Sequence, residues 1–140
     1  MSAYLDASAL LPIFLSDSFS ARIDAYLRNM KPDLYVSDFA AAEFASALGV
    51  KIRMGQLTNR EAEDSLLDFD AWQSSVPRVI DTLGRDIRAA EAILRRLDLG
   101  LRTPDALHIA ITLRTQCDLL TFDDRMAAGA RALGVSVASP

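Results

Sequence analysis

The sequence predicts an α/β protein, a single-domain α/β/α sandwich over residues 1–140 with a central parallel sheet of four to five strands. Three observations carry this. Short apolar, strand-like runs alternate with helical stretches along the whole chain, the order that builds a parallel sheet covered on both faces. No internal repeat, low-complexity tract or linker breaks the alternation. At 140 residues, half of them apolar, the chain can bury a core without metal or disulfide support.

The first strand is read over residues 3–6, followed by a short helix over 7–15 in which Pro12 must lie near an end or a kink. From Ser18 to Met30 the apolar residues Phe19, Ile23, Tyr26 and Leu27 recur at helical spacing, and Lys31-Pro32-Asp33 ends the element. Leu34-Tyr35-Val36 reads as a buried second strand. Ser37 or Asp38 can cap the next helix, which runs to about Met54 before Gly55.

Thr58-Asn59-Arg60-Glu61 has capping-box spacing and starts a helix that continues through Leu66, Leu67 and Phe69 toward Trp72. Val76 to Ile80 reads as a third strand, with Pro77 near its start. Asp86 to Leu97 reads as an amphipathic helix with Ile87, Ala90, Ile93, Leu94 and Leu97 inward, stopped by Gly100. Thr103-Pro104-Asp105 reads as N-cap, first-turn proline and first-turn acid of a helix to about Arg114. A fourth strand over Asp118–Thr121, a helix from Asp123 to Leu133 and a last strand over Val135–Val137 complete the chain.

The net charge of −4 argues against broad electrostatic binding to nucleic acid, although a local basic rim beside concentrated acids remains compatible with it. A lone cysteine, Cys117, excludes an internal disulfide and fits a reducing cytoplasmic setting. No basic leader and no apolar run long enough to cross a bilayer is visible, so no membrane association is expected.

Four acids stand out by position. Asp6 ends the first strand, where open α/β sheets place their ligands. Glu43 lies within the helix after the second strand, among Phe39, Ala40, Ala42, Phe44, Ala45 and Ala47, a setting in which a glutamate needs a partner or a metal. Asp105 and Asp123 begin helices; either alone is explained as a first-turn acid favourable to the helix dipole. Together the four are expected at one edge of the sheet. Two like charges 4 Å apart repel by ~4 kcal/mol at an effective dielectric of 20, so such a cluster calls for a cation. Hard oxygen ligands suit Mg²⁺ or Mn²⁺, which can activate water and neutralise a phosphodiester.

The runs Tyr4-Leu5-Asp6-Ala7-Ser8-Ala9-Leu10, Ala42-Glu43-Phe44-Ala45-Ser46-Ala47-Leu48, Leu101 to Ala110 and Leu119-Leu120-Thr121-Phe122-Asp123 resemble, in order and across the whole chain, the PIN-domain ribonucleases. More narrowly they resemble the VapC-type toxins of bacterial toxin–antitoxin pairs. The resemblance implies a Mg²⁺- or Mn²⁺-dependent endoribonuclease with Asp6, Glu43, Asp105 and Asp123 as its catalytic and metal-binding acids. It implies Ser8 and Thr121 as supporting hydroxyls, a VapB-type antitoxin as partner, RNA as substrate and a homodimer as the common assembly. Asp124 stands where the family varies. Arg102 and Arg125 flank two of the acids, where they can contact RNA phosphates or simply face solvent. His108, one turn after Asp105, is read as a satisfied structural side chain rather than a general base or ligand.

Other classes fit less well. None of the six glycines forms a dinucleotide-binding loop, and a Ser or Cys hydrolase lacks its elbow motif. A phosphoaspartate phosphatase would want a second Asp where Ser8 stands. The remaining alternative is a non-catalytic PIN-fold module that acts through protein or RNA contacts; four intact acids weigh against it.

Overall fold

A computed structural model describes residues 1–140. In chain order the elements are β1 (Ser2–Leu5), α1 (Ala7–Phe14), α2 (Ser20–Met30), β2 (Asp33–Ser37), α3 (Asp38–Arg53) and α4 (Asn59–Gln73). They continue with β3 (Arg78–Ile80), α5 (Gly84–Leu94), α6 (Thr103–Thr115), β4 (Asp118–Leu120), α7 (Asp124–Ala132) and β5 (Val137–Ala138). All five strands are parallel, in the order β3-β2-β1-β4-β5. The expected parallel α/β/α architecture is present, with the fuller strand count. The chain winds outward from β1 to β3, then returns to the far side of β1 with β4. The β1/β4 boundary is therefore the switch point, where a crevice opens beyond the strand ends.

Strand alternation divides the core. Ala3 and Leu5 of β1, with Leu34, Val36 and Leu120, pack against α1 to α4 through Leu10, Ile23, Phe44, Leu48 and Phe69. Tyr4 and Leu119 point to the opposite face and meet Ile93, Ile109, Ile111, Met126 and Ala130 of α5 to α7. Phe14, Phe44, Phe69 and Trp72 form an aromatic cluster on the first face, Phe14 and Phe44 edge-on with ring centroids 5.5 Å apart. The capping box at Thr58 and Glu61 forms as predicted, and Ser37 caps α3 by accepting the Ala40 N–H.

Several boundaries differ from the sequence reading, each for a local reason. Helix α2 starts at Ser20 rather than Ser18 because the Asp17 carboxylate accepts the Phe19 N–H and holds the preceding residues in a turn. Arg102, not Thr103, is the cap position of α6, and its N–H is accepted by Asp105. Strand β3 begins only at Arg78. Strand β5 lies at Val137–Ala138 because Val135 N–H still returns to Ala130 as α7 closes through Gly134 at φ 80°.

The largest correction concerns α5. It ends at Leu94, and a 3-10 turn over Leu97–Leu99 leaves Leu97 87% exposed instead of inward. Ile87 is also exposed, beside Phe39 and Leu107 in a shallow apolar groove. The inward row is Asp86, Ala90 and Ile93, one helical face. An acid can head that row because Arg114 of α6 reaches it, with Nε 2.6 Å from Oδ1 and Nη2 2.8 Å from Oδ2.

Candidate active site

The strand ends at the switch point set the site. Asp6 follows β1 and is the N-cap of α1, its Oδ1 accepting the Ala9 N–H at 3.1 Å. Ser8, in the first turn, donates its hydroxyl to both carboxylate oxygens at 2.8 and 2.9 Å. From the end of β4, Thr121 donates to Asp6 Oδ2 at 2.8 Å and accepts the Asp123 N–H at 3.0 Å. The Phe122 N–H is accepted by Ser8 Oγ at 2.9 Å, which staples the first helix to the β4 exit. The two hydroxyls predicted as supporting residues thus stand on Asp6, and Thr121 lies between Asp6 and Asp123.

Asp6 is only 2% exposed. Burial pushes its carboxyl above the ordinary range, against the opposing hydrogen bonds from Ser8, Thr121 and Ala9. No lysine or arginine pairs with Asp6, Asp105 or Asp123.

Asp105 and Asp123 share one cavity of about 370 Å³, lined by these two acids with Asp124, Arg102 and Arg125 and by no apolar residue. Each of the two caps its own helix with one oxygen. Asp105 Oδ2 takes the Arg102 N–H at 2.9 Å, and Asp123 Oδ1 takes the Met126 N–H at 2.9 Å. Their second oxygens accept no hydrogen bond from the protein. The dipole role and a ligand role are therefore compatible in the same side chain.

Glu43 sits apart from this cavity in its contacts. Its Oε1 meets Nε2 of His108, a buried residue whose Nδ1 lies 2.7 Å from the Tyr4 hydroxyl. The partner that the apolar setting of Glu43 demanded is a histidine 65 residues away. No group of three or more His, Cys, Asp and Glu side chains stands assembled as a metal cage. Of the four acids expected at one edge, Asp105 and Asp123 line a common cavity, Asp6 reaches Asp123 through Thr121, and Glu43 pairs with His108 instead. His108 itself is satisfied at both nitrogens, in line with the structural reading. Tyr4 and Ser37, which the sequence offered only as strand and cap residues, belong to the same network; Ser37 Oγ lies 2.7 Å from Tyr4 Oη.

A five-stranded parallel sheet with acids at its switch point, and a hydroxyl pair on the most buried of them, defines a compact α/β domain with an acid-lined site. The PIN domain model matches residues 3–132, and the chain belongs to that family. It is 31% identical to ribonuclease VapC46 of Mycobacterium tuberculosis over 98% of this chain and 96% of the relative. Among solved structures it is similar to VapC20 of Mycobacterium tuberculosis, a sarcin-ricin loop cleaving toxin, at TM-score 0.74 and 18% identity over 99% of both chains. FitAcB of Neisseria gonorrhoeae gives TM-score 0.72 at 15% identity over 99% of this chain and 97% of that one. VapBC2 of Rickettsia felis, bound to a DNA fragment from their promoter, gives 0.62 at 14% identity over 88% of each. At these identities the structures speak to the fold alone.

Proposed function

We propose that the protein is an endoribonuclease of VapC type, the toxin of a toxin–antitoxin pair, which hydrolyses RNA phosphodiester bonds with a divalent cation, Mg²⁺ or Mn²⁺. The observation that carries this is Asp6: a buried carboxylate in no pair with lysine or arginine, joined through Thr121 to a cavity lined by three further acids, Asp105, Asp123 and Asp124. The donor set fits a hard cation, since every candidate ligand is a carboxylate oxygen and Asp105 and Asp123 each keep one oxygen free. Asp6, Asp105 and Asp123 are the residues that would hold it. When bound, the cation offsets charge on the phosphodiester and acidifies the attacking water.

The chain's own groups divide the remaining work. Glu43 orients the attacking water, with Oε1 engaged by His108 and Oε2 without a protein partner. Ser8 and Thr121 hold the Asp6 carboxylate in place. Arg102 and Arg125, on the wall of the acidic cavity and in no ion pair, bind phosphates that flank the scissile one. The likeness to ribonuclease VapC46 supports RNA as substrate. A VapB-type antitoxin is the proposed partner and a homodimer the proposed assembly, acting in the cytoplasm; no helix is long and apolar enough to cross a membrane.

The test is cleavage of labelled RNA with Mn²⁺ or Mg²⁺ and with chelator. Cation-dependent cleavage that Asp6→Asn abolishes is the expected result. Cleavage by Asp6→Asn at the parent rate would remove the assignment. Unchanged RNA bound without cleavage in any cation would favour the binding-module alternative.

A further inference from the structure

The acids account for only part of the polar network at this edge. A second chain of contacts runs through the protein interior to Glu43. Ser37, Tyr4 and His108 are each no more than 1% exposed, and they link the cap of α3, the middle of β1 and the first turns of α6. Ser37 Oγ accepts the Ala40 N–H at 3.0 Å and lies 2.7 Å from Tyr4 Oη, which lies 2.7 Å from His108 Nδ1. His108 Nε2 then meets Glu43 Oε1.

Hydrogen-bond polarity gives this chain one direction. In one sense the Ser37 hydroxyl donates to Tyr4, the Tyr4 hydroxyl to His108 Nδ1, and Nε2–H to Glu43. In that sense every donor has an acceptor, with Ser37 Oγ also accepting the Ala40 N–H. In the opposite sense Nδ1–H would donate to Tyr4 and Tyr4 to Ser37. The Ser37 hydroxyl hydrogen would then have no acceptor inside a closed core. The imidazole packs against the Phe39 and Tyr4 rings, whose centroids stand 5.0 and 5.7 Å from its own.

We propose that His108 is a positioning residue for Glu43, fixed by Tyr4 and Ser37 in the tautomer that carries its hydrogen on Nε2. It touches neither RNA nor cation. It holds one carboxylate oxygen of Glu43 so that the other faces the attacking water, as outer-shell partners orient ligands in other sites. The proposal rests on the role given above to Glu43.

The test uses the fact that His108 is the sole histidine of the chain. Nitrogen-15 spectra of imidazole-labelled protein report its tautomer without assignment. The expected spectrum shows hydrogen on Nε2 in the parent and a shift toward the other tautomer in Tyr4→Phe. In cleavage of labelled transfer and ribosomal RNA, His108→Leu should lower kcat roughly 10–100-fold with KM little changed. His108→Gln, whose amide nitrogen can take the place of Nε2, should restore most of the rate. A parent imidazole with hydrogen on Nδ1, or folded His108→Leu as fast as the parent, overturns the proposal. So does His108→Gln as slow as a folded His108→Leu. Failure of the reading beneath it has a different signature: Glu43→Gln at the parent rate, or no cleavage by the parent, with the Nε2 tautomer intact.

Discussion

Thr121 and Asp6, 115 positions apart, are joined by a hydrogen bond of 2.8 Å from Thr121 Oγ1 to Asp6 Oδ2. The same hydroxyl oxygen accepts the Asp123 N–H. One short side chain therefore ties the exit of β1 to the exit of β4, on the two sides of the switch point. Replacing it with valine keeps the shape but leaves the Asp123 N–H without its partner and Asp6 with one donor fewer. The expected cost is about 1–3 kcal/mol for the orphaned groups. Thr121→Ser should recover most of it. Urea unfolding of parent, valine and serine forms checks the order; equal midpoints for parent and valine would show that the bond does not hold the edge.

Asp6 carries a different expectation. A buried carboxylate without a cation is a cost to the fold, only partly offset by Ser8, Thr121 and Ala9. Asp6→Asn removes the charge and keeps an oxygen to cap α1. In chelator the variant should melt at or above the parent temperature, as expected where function rather than stability fixes a residue. Mg²⁺ or Mn²⁺ should raise the parent's melting temperature and leave that of Asp6→Asn unmoved. Thermal melts with and without chelator decide this, and an equal cation shift in both proteins would place the cation elsewhere.

How far these features were legible in the sequence depends on their range. The Thr58/Glu61 capping box, the Ser37 cap and the alternation of strand and helix are local, and the chain spells them out. The inward face of α5 is not local: Asp86 heads it only because Arg114, 28 residues later, supplies the charge. A helical wheel without that partner promotes Ile87 and Leu97 instead. Glu43 was visible as an acid in need of a partner, since its neighbours are apolar, but nothing near it in sequence names His108. Asp105 and Asp123 were legible as helix-start acids, and both do cap their helices.

The Asp86–Arg114 pair predicts a pH dependence. Burial opposes ionisation of Asp86, but the hydrogen bonds from Arg114 and the Leu83 N–H outweigh it, so the folded carboxyl titrates below its ordinary value. A depressed folded value means that the stabilisation is fully present above the unfolded value of about 3.9 and is lost as pH falls through the folded one. Asp86→Asn should cost roughly 1.5–3 kcal/mol at neutral pH, the range for hydrogen bonds to charged groups. The gap between parent and variant should narrow as the solution is acidified below pH ~4. Denaturant midpoints across acid pH check both sign and window, and a gap that widens on acidification would reverse the assignment.

Gly129 provides the last expectation, on the side of the fold that presents Asp123. It lies in α7 with Leu101 packed directly over it; a Cβ built there would stand 2.6 Å from Leu101 Cδ2 and 2.9 Å from Cδ1. An alanine in a helix is otherwise favourable by up to about 1 kcal/mol, because glycine loses more backbone freedom on folding. Here the two effects oppose. Leu101 is partly buried against the α5–α7 face of the core, and its Cγ also stands 3.1 Å from that Cβ, so the branch point as well as both methyls must give way. Overpacking of this kind costs about 1–3 kcal/mol, which exceeds the helix gain. Gly129→Ala should therefore be destabilising. In a Leu101→Ala background, where the opposing methyl groups are gone, the same change should become neutral or favourable. A double-mutant cycle in urea measures the coupling, and additivity of the two changes would show that Leu101 does not set the requirement for glycine.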